Sequence, residues 1–132
     1  EVNGSKPRWV IDKVKEAVEE WHKNNSKSKA QSSKLLPIIG CLGLAFKANI
    51  DDLRESPALE ITRELIASGI GSILPCEPNL NGEYQELQLY DIDLIVREAD
   101  IFLLLVDHDE FKSLDRELLK GKKVIDTKGI WK

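Results

Sequence analysis

The sequence contains no apolar run near the ~20 residues that a bilayer span requires and no basic leader followed by an apolar stretch. Membrane insertion and secretion are therefore not expected, and the chain reads as cytoplasmic. Cysteine is scarce: Cys41 and Cys76 are the only two, each inside an apolar stretch. No C-x-x-C pair or His-rich spacing accompanies them, so no metal site is expected. Buried free thiols are the expected state. Positive charge is not in excess either. A net charge of −4 argues against nucleic acid or an acidic membrane as the main partner, because either favours a basic face. A phosphate pocket needs only one or two cations and is not excluded. Neither a complete G-x-G-x-x-G fingerprint nor a P-loop is present, and there are no internal repeats. There is no initiator methionine, and Glu1–Pro7 leads straight into a helix, as expected of an excised fragment.

What is present suits one domain with an appendage. At 132 residues such a chain buries roughly two-thirds of its unfolded surface, enough for a core without staples. From Arg8 to Lys23, Val10, Val14, Ala17, Val18 and Trp21 recur at helical spacing. This apolar stripe needs a partner surface. Trp9 and Trp21 suit interdomain or dimer packing better than ligand stacking. Asn24–Lys34 is polar and reads as a linker, which puts a domain boundary there. Leu35–Leu44 then reads as a strand buried on both faces. Ser56 and Pro57 look like the cap and first position of a helix ending before Gly69. Gly71–Cys76 is a second strand. Asn79–Tyr90 reads as a loop with at most a short helical turn, and Asp91–Glu98 as a short helix. Ile101–Val106 is a strongly apolar third strand. One or two short helices span Asp109–Lys120, with Gly121 as a stop, and Val124–Thr127 is the last strand. The alternation predicts a Rossmann-like, three-layer α/β domain with a mainly parallel sheet, preceded by one amphipathic helix.

In such sheets ligands bind beyond the carboxyl ends of the strands. Four polar segments lie there: Gly43–Glu55, Glu77–Asn81, Asp107–Glu110 and Asp126–Trp131. Gly40 and Gly43 allow close backbone approach to a ligand, and close packing explains them equally well. Lys47 and Arg54 flank an acidic stretch just before a helix N-terminus, an arrangement able to hold a diphosphate. Pairing with Asp51, Asp52 and Glu55 is the equal alternative. Glu77 stands where dinucleotide domains place a ribose-binding acid, but a loop or capping role is favoured. His108 is read as a loop residue rather than a general base.

The string GLAFKANIDDLRESPALEI, Gly43 to Ile61, resembles the opening of the C-terminal domain of the UDP-glucose/GDP-mannose dehydrogenase family. KPRWVIDKV resembles the tail of that family's central helical domain, READIFLLLVDHDEFK a following strand and loop, and KKVIDTKGIWK its final strand. The D-T-K-G-I-W ending is similar to the UDP-N-acetylmannosamine branch. The resemblance implies residues 1–34 as the terminal helix of the central dimerisation domain plus linker, and 35–132 as the UDP-binding domain. It implies an NAD-dependent nucleotide-sugar 6-dehydrogenase for surface polysaccharide precursors, with NAD bound mainly by an N-terminal domain and the whole enzyme a homodimer. The expected reaction takes UDP-N-acetylmannosamine to its uronate. Family members work through a thiohemiacetal and thioester on a cysteine that neither Cys41 nor Cys76 matches. No catalytic residue is therefore expected here, and the chain alone should be inactive. Phe46 and Lys47 correspond to UDP-sugar contacts and Arg54 to the arginine that reaches the NAD pyrophosphate. Lys128 falls where relatives commonly carry an arginine, and supplies charge without the bidentate fork. A second reading, from another class, is a freestanding Rossmann-like nucleotide-binding or regulatory module without catalysis.

Overall fold

The computed structural model describes residues 8–27, 36–49, 52–54, 56–80, 82–85 and 87–131. Glu1–Pro7, most of the expected linker, and Asp51 and Glu55 lie outside the described residues. In chain order the elements are α1 (Arg8–Lys27), β1 (Ile38–Leu42), α2 (Pro57–Ser68), β2 (Ser72–Cys76), β3 (Glu83–Tyr84), β4 (Leu87–Gln88), α3 (Ile92–Glu98), β5 (Ile101–Leu104), α4 (Asp109–Lys112), a 3-10 turn (Arg116–Leu119) and β6 (Lys123–Asp126). β2, β1, β5 and β6 form one parallel sheet in that spatial order.

Alternation along the strands divides the interior into two layers. Ile39 and Cys41 of β1, Ile101 and Leu103 of β5, and Ile125 of β6 face one side. There α1 lays down Val10, Ile11, Val14, Ala17 and Val18, beside Ala58, Ile61 and Leu65 of α2. The apolar stripe of α1 thus finds its partner surface inside this chain. On the other face Leu42, Phe102 and Leu104 meet Ile95 of α3, Phe111 of α4 and Leu119. Helices on both faces of a parallel sheet make the three-layer, Rossmann-like α/β fold expected.

Local chemistry accounts for the element ends. Ser56 Oγ accepts from the Leu59 N–H at 3.3 Å and Pro57 opens α2, while Gly69 closes it with φ 70°. Helix α1 runs on to Lys27, past the expected limit at Lys23, because no glycine or proline interrupts Asn24–Lys27. The stretch after β2 differs from the expected loop with a short helical turn. It forms an antiparallel ribbon of β3 and β4. Gly82 and Gln85 adopt left-handed backbone, φ 74° and 55°, which no helical turn accommodates. Leu87 and Leu89 alternate inward and join Leu44, Ala45, Leu53 and Leu59 in a small third cluster beneath the loop after β1.

Candidate functional site

The chain passes from β1 to β2 on one side of the sheet and then returns to β5 on the other side of β1. The loops after β1 and β5 therefore diverge at the switch in strand order, the usual place for a ligand crevice. The loop after β1 carries Phe46, Lys47 and Arg54, so three of the four expected binding residues lie on a loop that leaves this switch point. Lys128 follows β6, with β5 between it and β1. Two strand spacings separate the β1 and β6 ends, roughly 10 Å.

The backbone of the first loop is closely tied. Gly43 has φ 99°, and a Cβ there would lie 2.6 Å from Val106 Cβ and 2.9 Å from Val106 N. A Cβ on Gly40 would meet Ile95 Cγ2 at 2.3 Å. Both glycines therefore serve close packing, the second of the two open explanations. The N–H groups of Leu44 and Ala45 donate to Glu77 Oε1 at 2.9 and 3.0 Å. Phe46 N–H donates to the Asp52 carbonyl at 2.8 Å, and Ser56 Oγ donates to the Ala45 carbonyl at 3.2 Å. Asn49, with φ 64°, donates its N–H to His108 Nδ1 at 2.8 Å, and its Oδ1 accepts from Asp109 N–H at 3.0 Å.

His108 Nδ1 accepts, so the ring proton is assigned to Nε2. That nitrogen lies 3.0 Å from Glu77 Oε1. The other carboxylate oxygen of Glu77 accepts from the backbone and side-chain nitrogens of Asn79 at 3.0 and 3.1 Å. Glu77 is 2% exposed and His108 is fully buried. Burial alone would raise the Glu77 pKa. Hydrogen bonds from His108, Leu44 and Asn79 outweigh it and hold the carboxyl below its ordinary value. Glu77 thus has the loop role read from the sequence, and His108 itself, rather than its neighbours Asp107 and Asp109, is the second anchor. Asn49 was not foreseen; the available signal was its tolerance of left-handed backbone.

Against this fixed backbone the expected ligand-binding side chains are open. Phe46 is 55% exposed. Lys47 is exposed, and no hydrogen bond or ion pair engages its ammonium among the described residues. Arg54 instead forms a fork with Asp52, Nε to Oδ1 and Nη2 to Oδ2, both at 3.1 Å. That interaction holds the Asp52 carboxyl below its ordinary pKa. The ion-pair alternative is therefore realised for Arg54 with Asp52. An exposed pair of this kind is worth little and yields readily to a stronger anion. At the far end, Asp126 organises the D-T-K-G-I-W turn. Its carboxylate accepts from the N–H groups of Lys128 at 2.9 Å, Gly129 at 2.7 Å and Trp131 at 2.9 Å. Lys128 itself is exposed beside that turn.

Both cysteines are buried. Burial pushes the Cys41 thiol up to about 12, against a hydrogen bond with Thr62. Burial also pushes Cys76 up to about 12, aided by the charges of Glu77, Asp91 and Glu110. Burial and the raised pKa both disfavour the thiolate that a nucleophilic cysteine needs. Among the described residues no group of three His, Cys, Asp or Glu side chains could hold a metal ion. No helix among them is long and apolar enough to cross a membrane.

A parallel α/β domain whose strand-end loops present an aromatic ring and cations over a fixed backbone belongs to the nucleotide-binding class of open sheets. More narrowly, the chain belongs to the UDP-glucose/GDP-mannose dehydrogenase family, whose UDP binding domain matches residues 40–132. It is 40% identical to an NDP-N-acetyl-D-galactosaminuronic acid dehydrogenase of Ralstonia nicotianae, over 99% of this chain and 29% of that protein. It is also 40% identical to a UDP-N-acetyl-D-mannosamine dehydrogenase of Salmonella typhi, over 100% of this chain and 31% of that protein. The chain thus spans about three-tenths of the length of these curated relatives. Among solved structures, a UDP-N-acetyl-mannosamine dehydrogenase from Staphylococcus aureus superposes with a TM-score of 0.69 at 25% identity, covering 94% of this chain and 27% of that one. A ternary complex of GDP-mannose dehydrogenase from Pseudomonas aeruginosa gives a TM-score of 0.61 at 32% identity, covering 74% and 26%.

Proposed function

We propose that this chain forms the UDP-sugar half of the cleft in an NAD-dependent nucleotide-sugar 6-dehydrogenase, with UDP-N-acetylmannosamine as the substrate oxidised to its uronate. The observation that carries the reading is the Phe46–Lys47 pair, exposed on a tied loop at the switch in strand order. A ring and an ammonium suit a nucleotide sugar, the ring by apolar contact and the ammonium by charge-assisted bonds to the diphosphate. Lys128 adds a further cation from the β6 end. The names of the relatives favour N-acetylated sugars, and one of them is named for the mannosamine compound.

The first βα turn of this domain does not fit NAD. Gly40 and Gly43 are filled by Ile95 and Val106, leaving no cradle for a pyrophosphate. What fits is Arg54, whose side chain is 84% exposed and held by an exposed carboxylate. In the closed parent enzyme Arg54 would release Asp52 and take the NAD pyrophosphate. NAD, bound mainly by another domain, supplies the hydride acceptor. Neither Cys41 nor Cys76 can carry a thioester intermediate, so the chain alone is inactive. The same parent enzyme is the natural homodimer, joined through the helical domain to which residues 1–34 belong.

The direct test is an NMR titration of this chain with UDP, with NAD and inorganic phosphate as controls. Shifts clustered at Phe46, Lys47 and the strand-end loops, specific to UDP, are expected. In the full-length dehydrogenase, Lys47→Ala should raise the KM for the UDP-sugar about tenfold or more, the worth of one charge-assisted phosphate contact. An unchanged KM and turnover would overturn the assignment.

A further inference from the structure

Glu77 and His108 are buried, yet between them they hold three amides of the loop that carries Phe46 and Lys47: those of Leu44, Ala45 and Asn49. Apolar side chains of similar volume would fill the same space without a desolvation cost. They could not hold those amides. The anchors also bracket the exposed pair, with Glu77 fixing the two residues before it and His108 a residue after it. His108 comes from the end of β5, so this second anchor ties the loop across the switch point.

We propose that Glu77 and His108 are positioning residues for nucleotide-sugar binding, acting through the Leu44–Asn49 backbone rather than through contact with the ligand. The inference rests on the reading of Phe46 and Lys47 given above. It is specific about chemistry. Position 108 must accept a hydrogen bond from the Asn49 N–H at one ring nitrogen and face Glu77 Oε1 with a donor at the other. Imidazole does both. A carboxamide side chain of ordinary rotamer keeps one end only. Asn places an acceptor near the Nδ1 position, and Gln places a donor near the Nε2 position.

The pair of variants separates positioning from bulk stability. Hydrogen exchange by NMR on this chain reads the loop amides, and UDP titration reads the site. His108→Gln is expected to lose protection at the Asn49 amide, to keep it at Leu44 and Ala45, and to bind UDP about tenfold more weakly, the worth of one buried hydrogen bond. His108→Asn is expected to restore Asn49 protection and most of the affinity. Amides of β1 and β5 report whether each variant stays folded. Should one unfold, Glu77→Leu, which has no acceptor, supplies the second probe, with protection lost at Leu44 and Ala45 instead. In the full-length dehydrogenase the same variants should raise the UDP-sugar KM more than they lower kcat. Native UDP affinity in a His108→Gln variant whose Asn49 amide exchanges freely would overturn the inference while leaving the role of Lys47 intact. A UDP response indifferent to Lys47→Ala would overturn the underlying reading, and the positioning role with it.

Discussion

A carboxylate that is 2% exposed and accepts from Leu44, Ala45, His108 and Asn79 can hold all four only while ionised, so its protonation and the local fold are linked. The Glu77 pKa is lowered in the folded chain from an ordinary value of 4.5. A depressed folded value means that the stabilisation is complete above that ordinary value and is lost as pH falls through the folded one. At neutral pH, Glu77→Gln should cost about 2 kcal/mol, typical of losing hydrogen bonds to a buried charge. The native and variant curves of melting temperature against pH should then converge below about 4.5. Thermal denaturation across pH 3–7 checks this, and parallel curves would show that another group governs the acid limb. The residue scale is also where the sequence was hardest to read. Lys47, Phe46 and Arg54 could be nominated as candidates because they sit together in one string. The link from Asn49 to His108 was not, because 59 residues separate its ends and only the sheet brings them together.

At the scale of elements, the main strands were legible wherever burial on both faces forced a continuous apolar run. Ile101–Leu104 is buried at every position, and Ile38–Leu42 at all but the first. The Ser56-Pro57 start and Gly69 stop of α2 were legible because capping is local chemistry. The β3–β4 ribbon was not, since strands of two residues carry no periodicity and owe their form to Leu87 and Leu89 packing beneath the β1 loop. The sequence predicted that the stripe of α1 needs a cover but not which surface supplies it. Its burial in one cluster with residues of β1, β5, β6 and α2 makes the helix part of this domain's core, whatever its place in a longer chain. Val14 is fully buried in that contact. Val14→Ala removes two methyl groups and leaves a cavity, which should destabilise the chain by about 2 kcal/mol. Urea denaturation followed by circular dichroism measures that cost, and it also tests whether α1 unfolds with the sheet. A separate, earlier helical transition would mean that α1 only rests on the domain.

At the scale of the whole molecule, the proposed function makes the chain one wall of a cleft and divides two of its cations, Lys47 and Arg54, between different partners. Lys47 stands on the anchored part of the loop beside Phe46, where backbone bonds before and after it fix its origin. Arg54 lies farther along, nearer the start of α2, with its guanidinium 84% exposed and engaged by Asp52 across one residue. A side chain so exposed is placed to meet an anion brought by another domain. The two substitutions should therefore have opposite signatures in the full-length dehydrogenase. Arg54→Ala should raise the KM for NAD about tenfold, the worth of a charge-assisted contact, and leave UDP binding by this chain nearly unchanged. Lys47→Ala should weaken UDP binding while changing the KM for NAD far less. Steady-state kinetics with each substrate varied in turn, beside the UDP titration of the isolated chain, distinguishes the cases. If Arg54→Ala weakens UDP binding by this chain as much as Lys47→Ala does, both cations serve the nucleotide sugar, and the NAD pyrophosphate must be held entirely by the rest of the enzyme.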